Sequence, residues 1–407
     1  MRIAYIASYQ GPTVVEQRPI VSNRSLSTRI KTELIARLLQ AGGHEVEIIS
    51  HGEVIEHGLR FYPGFWETEL FHPEIPVYYV SSLPIRRING FWAGLQAVRV
   101  FKKQHRKCPF DLVIILNPFK SPQISCATYA VKHLGLPVIL QYEDDAFRSG
   151  SGEEEDGWLS RYRRPTYARI LSSVSGCMSS APRLLSQVPA GLPVLLLRGV
   201  VDNDLVEAGQ REVPKKPNWV VFSGTHVDAN GVKELINGWK MASVSDWQLH
   251  ITGFGGLTEE LRKMAAKDPS IVFHGMISRE ELVSLLCSAK ICINPHVANQ
   301  IPGNVFSFKI IEYLAAGAHV VTTPEGNLEP DLEAGITYMS DNSPPTIAAT
   351  LQQVIRDRSY ERTAPQAAVQ HYSLTAVSKS LDRLVRQVTN NGGQPSRLVE
   401  RIESGVR

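Results

Sequence analysis

The sequence predicts an α/β protein made of two doubly wound parallel-sheet domains, and three observations carry the prediction. The chain opens on an apolar strand at 2–7, a helix ending near Gln40 and a Gly42-Gly43-His44 turn into a strand at 45–50, which is the order of a βαβ unit. Short apolar strands then alternate with amphipathic helices along the 407 residues, a length that implies two or three domains. At 219–223 the pattern restarts, just after the polar phrase VPKKPN.

In chain order, the first strand runs into a polar loop over 8–24. The helix after it is capped near Asn23 or Ser25, with Leu26, Ile30, Leu34, Ile35 and Leu38 in one stripe. That loop sits at the carboxyl end of the first strand, where open α/β sheets bind ligands. Residues 52–82, rich in aromatics and prolines with weak periodicity, read as insertions. A helix over 91–107 carries Phe91, Leu95, Val98 and Phe101 on one side. Arg99, Lys102, Lys103, Arg106 and Lys107 lie on another, with Arg86 and Arg87 upstream. Such a helix can dock on anionic lipid, or it can be a solvated outer face. Strands at 111–116 and 137–141 flank a helix over 122–134. The second of them runs directly into Glu143, Asp144 and Asp145, three acids that face the expected ligand crevice. Read blandly, they are acids favoured at a helix start. The acidic 150–158 segment has the composition of a mobile lid, and nothing in it fixes a metal-ligand geometry. A helix over 161–172 and a strand over 175–179 lead to PVLLLRGVVDNDL.

The second half reads as a strand at 219–223, a loop at 224–230 and a helix at 231–242. The strand at 247–252 ends in Gly253-Phe254-Gly255-Gly256, whose bare backbone suits close approach of a nucleotide or simply a tight turn. After a strand at 271–274, Ser278 caps a helix with Glu280 and Glu281 in its first turn. A strand at 290–294 precedes the most informative stretch, 301–323. There Phe308, Ile311, Leu314 and Ala315 fall at helical spacing, Gly317 caps the helix and a β-branched strand follows. Ser307, Lys309 and Glu312 crowd the helix start. Unpaired N–H groups and the lysine suit phosphate, and an acid one turn on suits a sugar diol. The alternative is a buried crossover. Helices over 345–357, 360–370 and 374–389 and a loose tail from Asn390 complete the chain.

FSFKIIEYLAAGAHVVTT, residues 306–323, resembles the nucleotide-sugar signature of family 4 glycosyltransferases, retaining enzymes of the GT-B fold. The GGHEV opening resembles their N-terminal half. The resemblance implies two Rossmann-like domains facing a central cleft, with the last helix crossing back to the first domain. The domains would be 1–205 for the acceptor and 206–372 for the nucleotide sugar, with 373–407 as crossing helix and tail. It also implies transfer of a sugar from a nucleotide-diphosphate donor to an acceptor hydroxyl, with no metal and no cofactor beyond the donor. Glu312 would hold the ribose. Ser307, Phe308 and Lys309 would meet the diphosphate, and Lys309 would stabilise it as it leaves. Gly224, Thr225, Gly253 and Gly255 would let the nucleotide close in. Glu143 and Asp144 would position the acceptor or handle its proton. Three positions depart from the family: Asn304 stands where many members have a first Glu, and Thr225 and Asn230 stand where an Arg and a Lys are usual. Lys309 is then the main cation, with Lys233 and His226 behind it. The acceptor would be a glycan or lipid-linked sugar in cell-surface polysaccharide or glycoconjugate synthesis. The departures keep a second class open, a non-catalytic subunit that binds nucleotide or glycan. A sugar-nucleotide epimerase on the same architecture is a third.

The whole-chain numbers narrow the rest. A net charge of +3 is too small to imply nucleic acid. Cys108, Cys126, Cys177, Cys287 and Cys292 form no CxxC pair, which fits reduced thiols in a cytoplasm. The opening MRIAYIASYQ reads as a strand and not as a signal peptide, and no apolar run reaches the ~20 residues of a membrane span. The expectation is a cytoplasmic protein, with residues 86–107 as a peripheral contact at the inner face of the membrane. GxxxxGK[ST], HExxH and GxSxG are missing, and no GxGxxG follows the first strand.

Overall fold

The computed structural model describes residues 1–18, 26–52, 59–69, 74–85, 88–144, 158–210, 218–296, 307–324 and 328–390. Asn23, Ser25, Arg86, Arg87, Asp145, Asn304 and all but the last residue of the acidic 150–158 segment lie outside them. The chain divides into two compact units, Met1–Leu197 joined by the stretch from Val377 onward, and Arg198–Ala376.

Among the described residues, the first unit holds β1 (Arg2–Ala7), β2 (Glu45–Ser50), β3 (Phe65–Glu69), β4 (Ile75–Tyr79), β5 (Leu112–Leu116), β6 (Val138–Gln141), β7 (Gly176–Ser179) and β8 (Val194–Leu196). They lie in the order β3-β4-β2-β1-β5-β6-β7-β8. Strands such as LVIIL in β5 are buried throughout, as a parallel strand covered on both faces must be. Part of the region read as insertions extends this sheet: β4 joins β2 in parallel, and β3 folds back antiparallel on β4. Ile75, Val77 and Tyr79 alternate inward, but Pro76 between them hides the period. The polar loop after β1 also contains a short helix, Pro12–Gln17.

Helix Ile88–Lys107 corrects the stripe expected for it. Its buried side is small, Ala93, Gly94 and Ala97 beside Phe101, because it passes the helix Ser121–Tyr129 at close range. A Cβ on Gly94 would lie 2.8 Å from Ser125 Oγ. Phe91 and Leu95 are therefore left outside, 70% and 43% exposed.

The second unit holds β9 (Trp219–Ser223), β10 (Gln248–Thr252), β11 (Ile271–Gly275), β12 (Ile291–Asn294), β13 (His319–Thr322) and β14 (Ile336–Tyr338), all parallel, in the order β11-β10-β9-β12-β13-β14. The division falls at 197/198 and not at 205/206. Val201 bridges to Ser373, and Leu205 is buried in this unit's core on helix Asn203–Gln210, which spans the expected 205/206 division. Helix Leu374–Asn390 starts in the second unit, and from Val377 it belongs to the first. There Ser378 Oγ donates to Leu38 O at 2.8 Å, and Val388 covers Gly176.

Each sheet reverses its winding once, between β1 and β5 in the first unit and between β9 and β12 in the second. Open α/β sheets bind ligands at such points, beyond the carboxyl ends of the strands.

Candidate functional site

At the switch of the second unit, main chain meets main chain. Gly253, at φ 122°, is so close to the loop after β9 that a Cβ on it would lie 1.9 Å from Gly224 O. A Cβ on Gly255 would lie 2.4 Å from His226 O. Gly224 N donates to Thr252 O at 3.1 Å, which pulls the ends of β9 and β10 together. Only glycine allows this approach. Thr225 is exposed on the same loop, and Asn230 Nδ2 donates to its carbonyl at 2.7 Å.

The helix that follows β12 in the chain, Lys309–Ala315, is fixed to this loop by Tyr313, whose hydroxyl accepts from Ser223 N at 2.9 Å. Burial raises that phenol's pKa and keeps it neutral. The anchor brings Lys309 Nζ over the Phe222 ring, 4.9 Å from its centroid, and within 2.9 Å of where a Gly224 Cβ would stand. Seven residues make a weak dipole, so the positive charge at this tip is that of Lys309. Ser307 is buried beside it. The Phe308 ring covers Gly199, where a Cβ would lie 2.0 Å from it.

Glu312 has a protein partner. Its Oε1 accepts from Arg279 Nη1 at 3.0 Å, while Arg279 Nη2 and Nε reach Asp202 at 3.3 Å and Asp204 at 3.4 Å. Burial raises the pKa of this carboxyl and Arg279 works against the rise. Arg279 lies 33 residues before Glu312 in the chain, and no motif or spacing marks the pair. The two lesser cations are engaged elsewhere. His226 is fully buried with Nδ1 on Thr258 Oγ1 at 2.9 Å, and Lys233 bridges Asp228 at 3.3 Å and Glu260 at 3.1 Å.

At the switch of the first unit a cavity of about 120 Å³ is lined by Ser8, Lys31, Asn117, Phe119, Glu143 and Asp144, among others. Asn117 organises it from a left-handed backbone, φ 52°. Its Oδ1 accepts from the backbone N–H of Glu143 at 2.8 Å and of Asp144 at 3.1 Å, and its Nδ2 donates to Asp144 Oδ2 at 2.9 Å. Glu143 is held by Lys31 at 2.7 Å, Gln141 at 3.0 Å and Ser180 at 3.1 Å. Asp144 is the more exposed of the two acids. Asn117, Lys31 and Arg279 are the residues the sequence reading missed. An Asn-Pro turn after an apolar strand marks Asn117 in retrospect. Among the described residues no cluster of metal-ligating side chains occurs.

Residues 29–194 match the family model described as "Glycosyl transferase 4-like domain", and residues 217–357 match "Glycosyl transferases group 1". No curated protein sequence matches the chain. Among solved structures it is similar to sucrose-phosphate synthase from Thermosynechococcus elongatus, at 17% identity and a TM-score of 0.61, over 96% of this chain and 100% of that one. The lipopolysaccharide outer core galactosyltransferase WaaB is similar at 14% identity and 0.60, over 95% and 99%. Anabaena HepE in complex with UDP and glucose is similar at 14% and 0.59, over 95% and 99%. At these identities the likeness to the solved structures is one of fold.

Proposed function

Because the chain belongs to the family 4-type glycosyltransferases of the GT-B fold, we propose that it is a retaining enzyme of cell-surface polysaccharide or glycoconjugate synthesis, moving a sugar from a nucleoside-diphosphate donor to a glycan hydroxyl. One observation carries the donor half of this reading: Lys309 stands beside the Gly224 loop with Glu312 one turn further along the same helix. The diphosphate lies along the bare backbone of Gly224, Thr225, Gly253 and Gly255, with Ser307 and Lys309 at its end. As the bond from the sugar to the diphosphate breaks, negative charge grows on the phosphate oxygens, and a cation already in place stabilises it without reorganisation. Glu312 accepts the ribose hydroxyls. Backbone N–H groups and Lys309 neutralise the diphosphate in this reading, so it needs no metal ion and no cofactor other than the donor substrate.

The acceptor occupies the cavity of the first unit. Glu143, tied by three side chains, orients its hydroxyls, and the more exposed Asp144 takes the proton as the hydroxyl attacks. The test is a thermal-shift panel of nucleoside diphosphates and their sugars, beginning with UDP. A rise in Tm with one base, absent in Glu312→Ala, is the expected result. No rise with any of them would favour the non-catalytic subunit.

A second surface supports a lipid-linked acceptor and a site of action at the inner face of the membrane. On helix Ile88–Lys107, exposed Ile88, Phe91 and Leu95 and then exposed Arg99 and Arg106 share one face at 100° per residue. Exposed Phe61 packs its ring 6.4 Å from Trp92 and widens the apolar end. Apolar and basic groups side by side suit an anionic bilayer. No described helix is long and apolar enough to cross a membrane. Co-sedimentation with phosphatidylglycerol vesicles but not phosphatidylcholine vesicles, lost in Phe91→Glu, is expected; equal pelleting of the variant sinks the idea.

A further inference from the structure

We propose that Arg279 is a positioning residue for donor recognition, one that grips Glu312 Oε1 and leaves Oε2 as an ionised acceptor for a ribose hydroxyl. The inference rests on the reading of Glu312 as the ribose acceptor. Arg279 opens helix Arg279–Ser288, whose start is already closed by a capping box between Ser278 and Glu281. A cation at a helix N-terminus opposes the helix dipole, so helix stability does not account for it. What accounts for it is the company it keeps. Its three nitrogens reach three carboxylates: Glu312 at 3.0 Å, Asp202 at 3.3 Å and Asp204 at 3.4 Å. The planar guanidinium fork donates to Glu312 through Nη1 and to Asp204 through Nε and holds Nη2 at ion-pair distance from Asp202, whereas an ammonium is a point charge.

One cation among three acids leaves the cluster net negative. Among the described residues, the charged groups facing Glu312 are Arg279 from helix Arg279–Ser288, Asp202 just before helix Asn203–Gln210 and Asp204 in its first turn. Helix Pro365–Tyr372, also packed on helix Lys309–Ala315, carries His371, which pairs with Asp331 at 2.9 Å. Burial and the two aspartates raise the proton affinity of Glu312, and Arg279 alone lowers it. Without Arg279 every remaining influence acts in one direction, and the carboxyl holds its proton more tightly. A protonated Glu312 forfeits the charge-assisted bond to the ribose. Oε2 has no hydrogen-bond partner among the described residues, which leaves it for the ligand.

The experiment is calorimetric titration with UDP and 2′-deoxy-UDP from pH 6 to 9, repeated with the GDP pair where UDP does not bind. The wild type is expected to favour the ribonucleotide by on the order of tenfold, the worth of one bond to a charged group, with little pH dependence. Arg279→Gln should lose that preference at pH 7 and regain it as pH rises. Adding Asp202→Asn and Asp204→Asn should restore it at pH 7 without the arginine. A wild-type ratio, flat in pH, in Arg279→Gln overturns the inference. A wild-type ratio in Glu312→Gln overturns instead the assignment of Glu312 to the ribose, and no binding by any nucleoside diphosphate overturns both. Should Arg279→Gln fail to fold, Arg279→Lys is read alike: a ratio below wild type at pH 6 supports the inference, and an unchanged one overturns it.

Discussion

The two switch points hold the same place in their sheets and are made of opposite materials. At β1/β5 the surroundings are side chains: Asn117, Glu143, Asp144 and Lys31 bonded to one another around a cavity. At β9/β12 the surroundings are main chain, with Gly253 and Gly255 packed so tightly against the loop that starts at Gly224 that a methyl group on either has no room. Charge arrives there from the single short helix that bears Lys309 and Glu312. Backbone N–H groups suit a diphosphate, the same anion whatever base and sugar it joins. An acceptor hydroxyl has to be told from its neighbours, and that takes side chains with direction. The second unit should therefore fail when it is crowded, and the first when it loses a polar group.

The largest effect expected is from Gly253→Ala. Its Cβ would lie 1.9 Å from Gly224 O at a φ of 122°, and neither backbone can withdraw without parting β9 from β10. Urea denaturation should show a loss of more than about 3 kcal/mol, with donor affinity lost in parallel. A variant of wild-type stability would mean that the loops are not the rigid cradle described here.

Asn117→Ala is the counterpart in the first unit. It removes three hydrogen bonds and puts alanine at a φ of 52°, for a cost of about 2–3 kcal/mol. Turnover with acceptor should fall while nucleoside-diphosphate affinity stays unchanged. A matching loss of donor affinity would mean that the two switch points are not chemically separate.

That asymmetry also explains what was legible in the sequence. Lys309 and Glu312 could be read because helical spacing alone places them one turn apart. Glycine is easy to see and hard to interpret. Gly224 read only as the start of a loop, and Gly253 as either an approach for a nucleotide or a tight turn, because the contact between them joins two loops 29 residues apart. Glu143 and Asp144 were visible as acids after a strand, but their anchor, Asn117, comes 26 residues earlier, just past the end of another strand. Arg279 was invisible for the same reason. Strand β4 was lost to Pro76, and the outward face of helix Ile88–Lys107 to a buried side made of alanine and glycine, which an apolar-stripe search overlooks.

Within the second unit, Lys309→Ala should weaken nucleoside-diphosphate binding by about 10–30-fold, the worth of one charge-assisted contact. Lys233→Ala should change it by less than about threefold, since that ammonium bridges two exposed acids at the surface. Equal losses by calorimetry would move the phosphate away from the tip of helix Lys309–Ala315.

The smallest effect separates the frame of the second site from its chemistry. His250, on β10 immediately below the Gly253 loop, is buried, with Nδ1 2.8 Å from His274 Nε2 and its ring 4.2 Å from that of Trp219. Burial, and then the neighbouring His274, hold its pKa down at about 4. A base whose folded pKa is depressed supports the fold fully above its unfolded value near 6.5, and that support is lost as pH falls towards 4. At pH 5.5, one unit into the window, the cost is about 1 kcal/mol. His250→Gln should be less stable than wild type at pH 7, having lost the ring contact, yet should lose about 1 kcal/mol less between pH 7 and 5.5. The amide of Asn117 has nothing to titrate, so the hydrogen bonds that it makes in the first unit should not follow this slope. If denaturation curves of wild type and His250→Gln fall in parallel with pH, the imidazole is already accommodated as a cation, and β10 is looser beneath the glycine cradle than its packing implies.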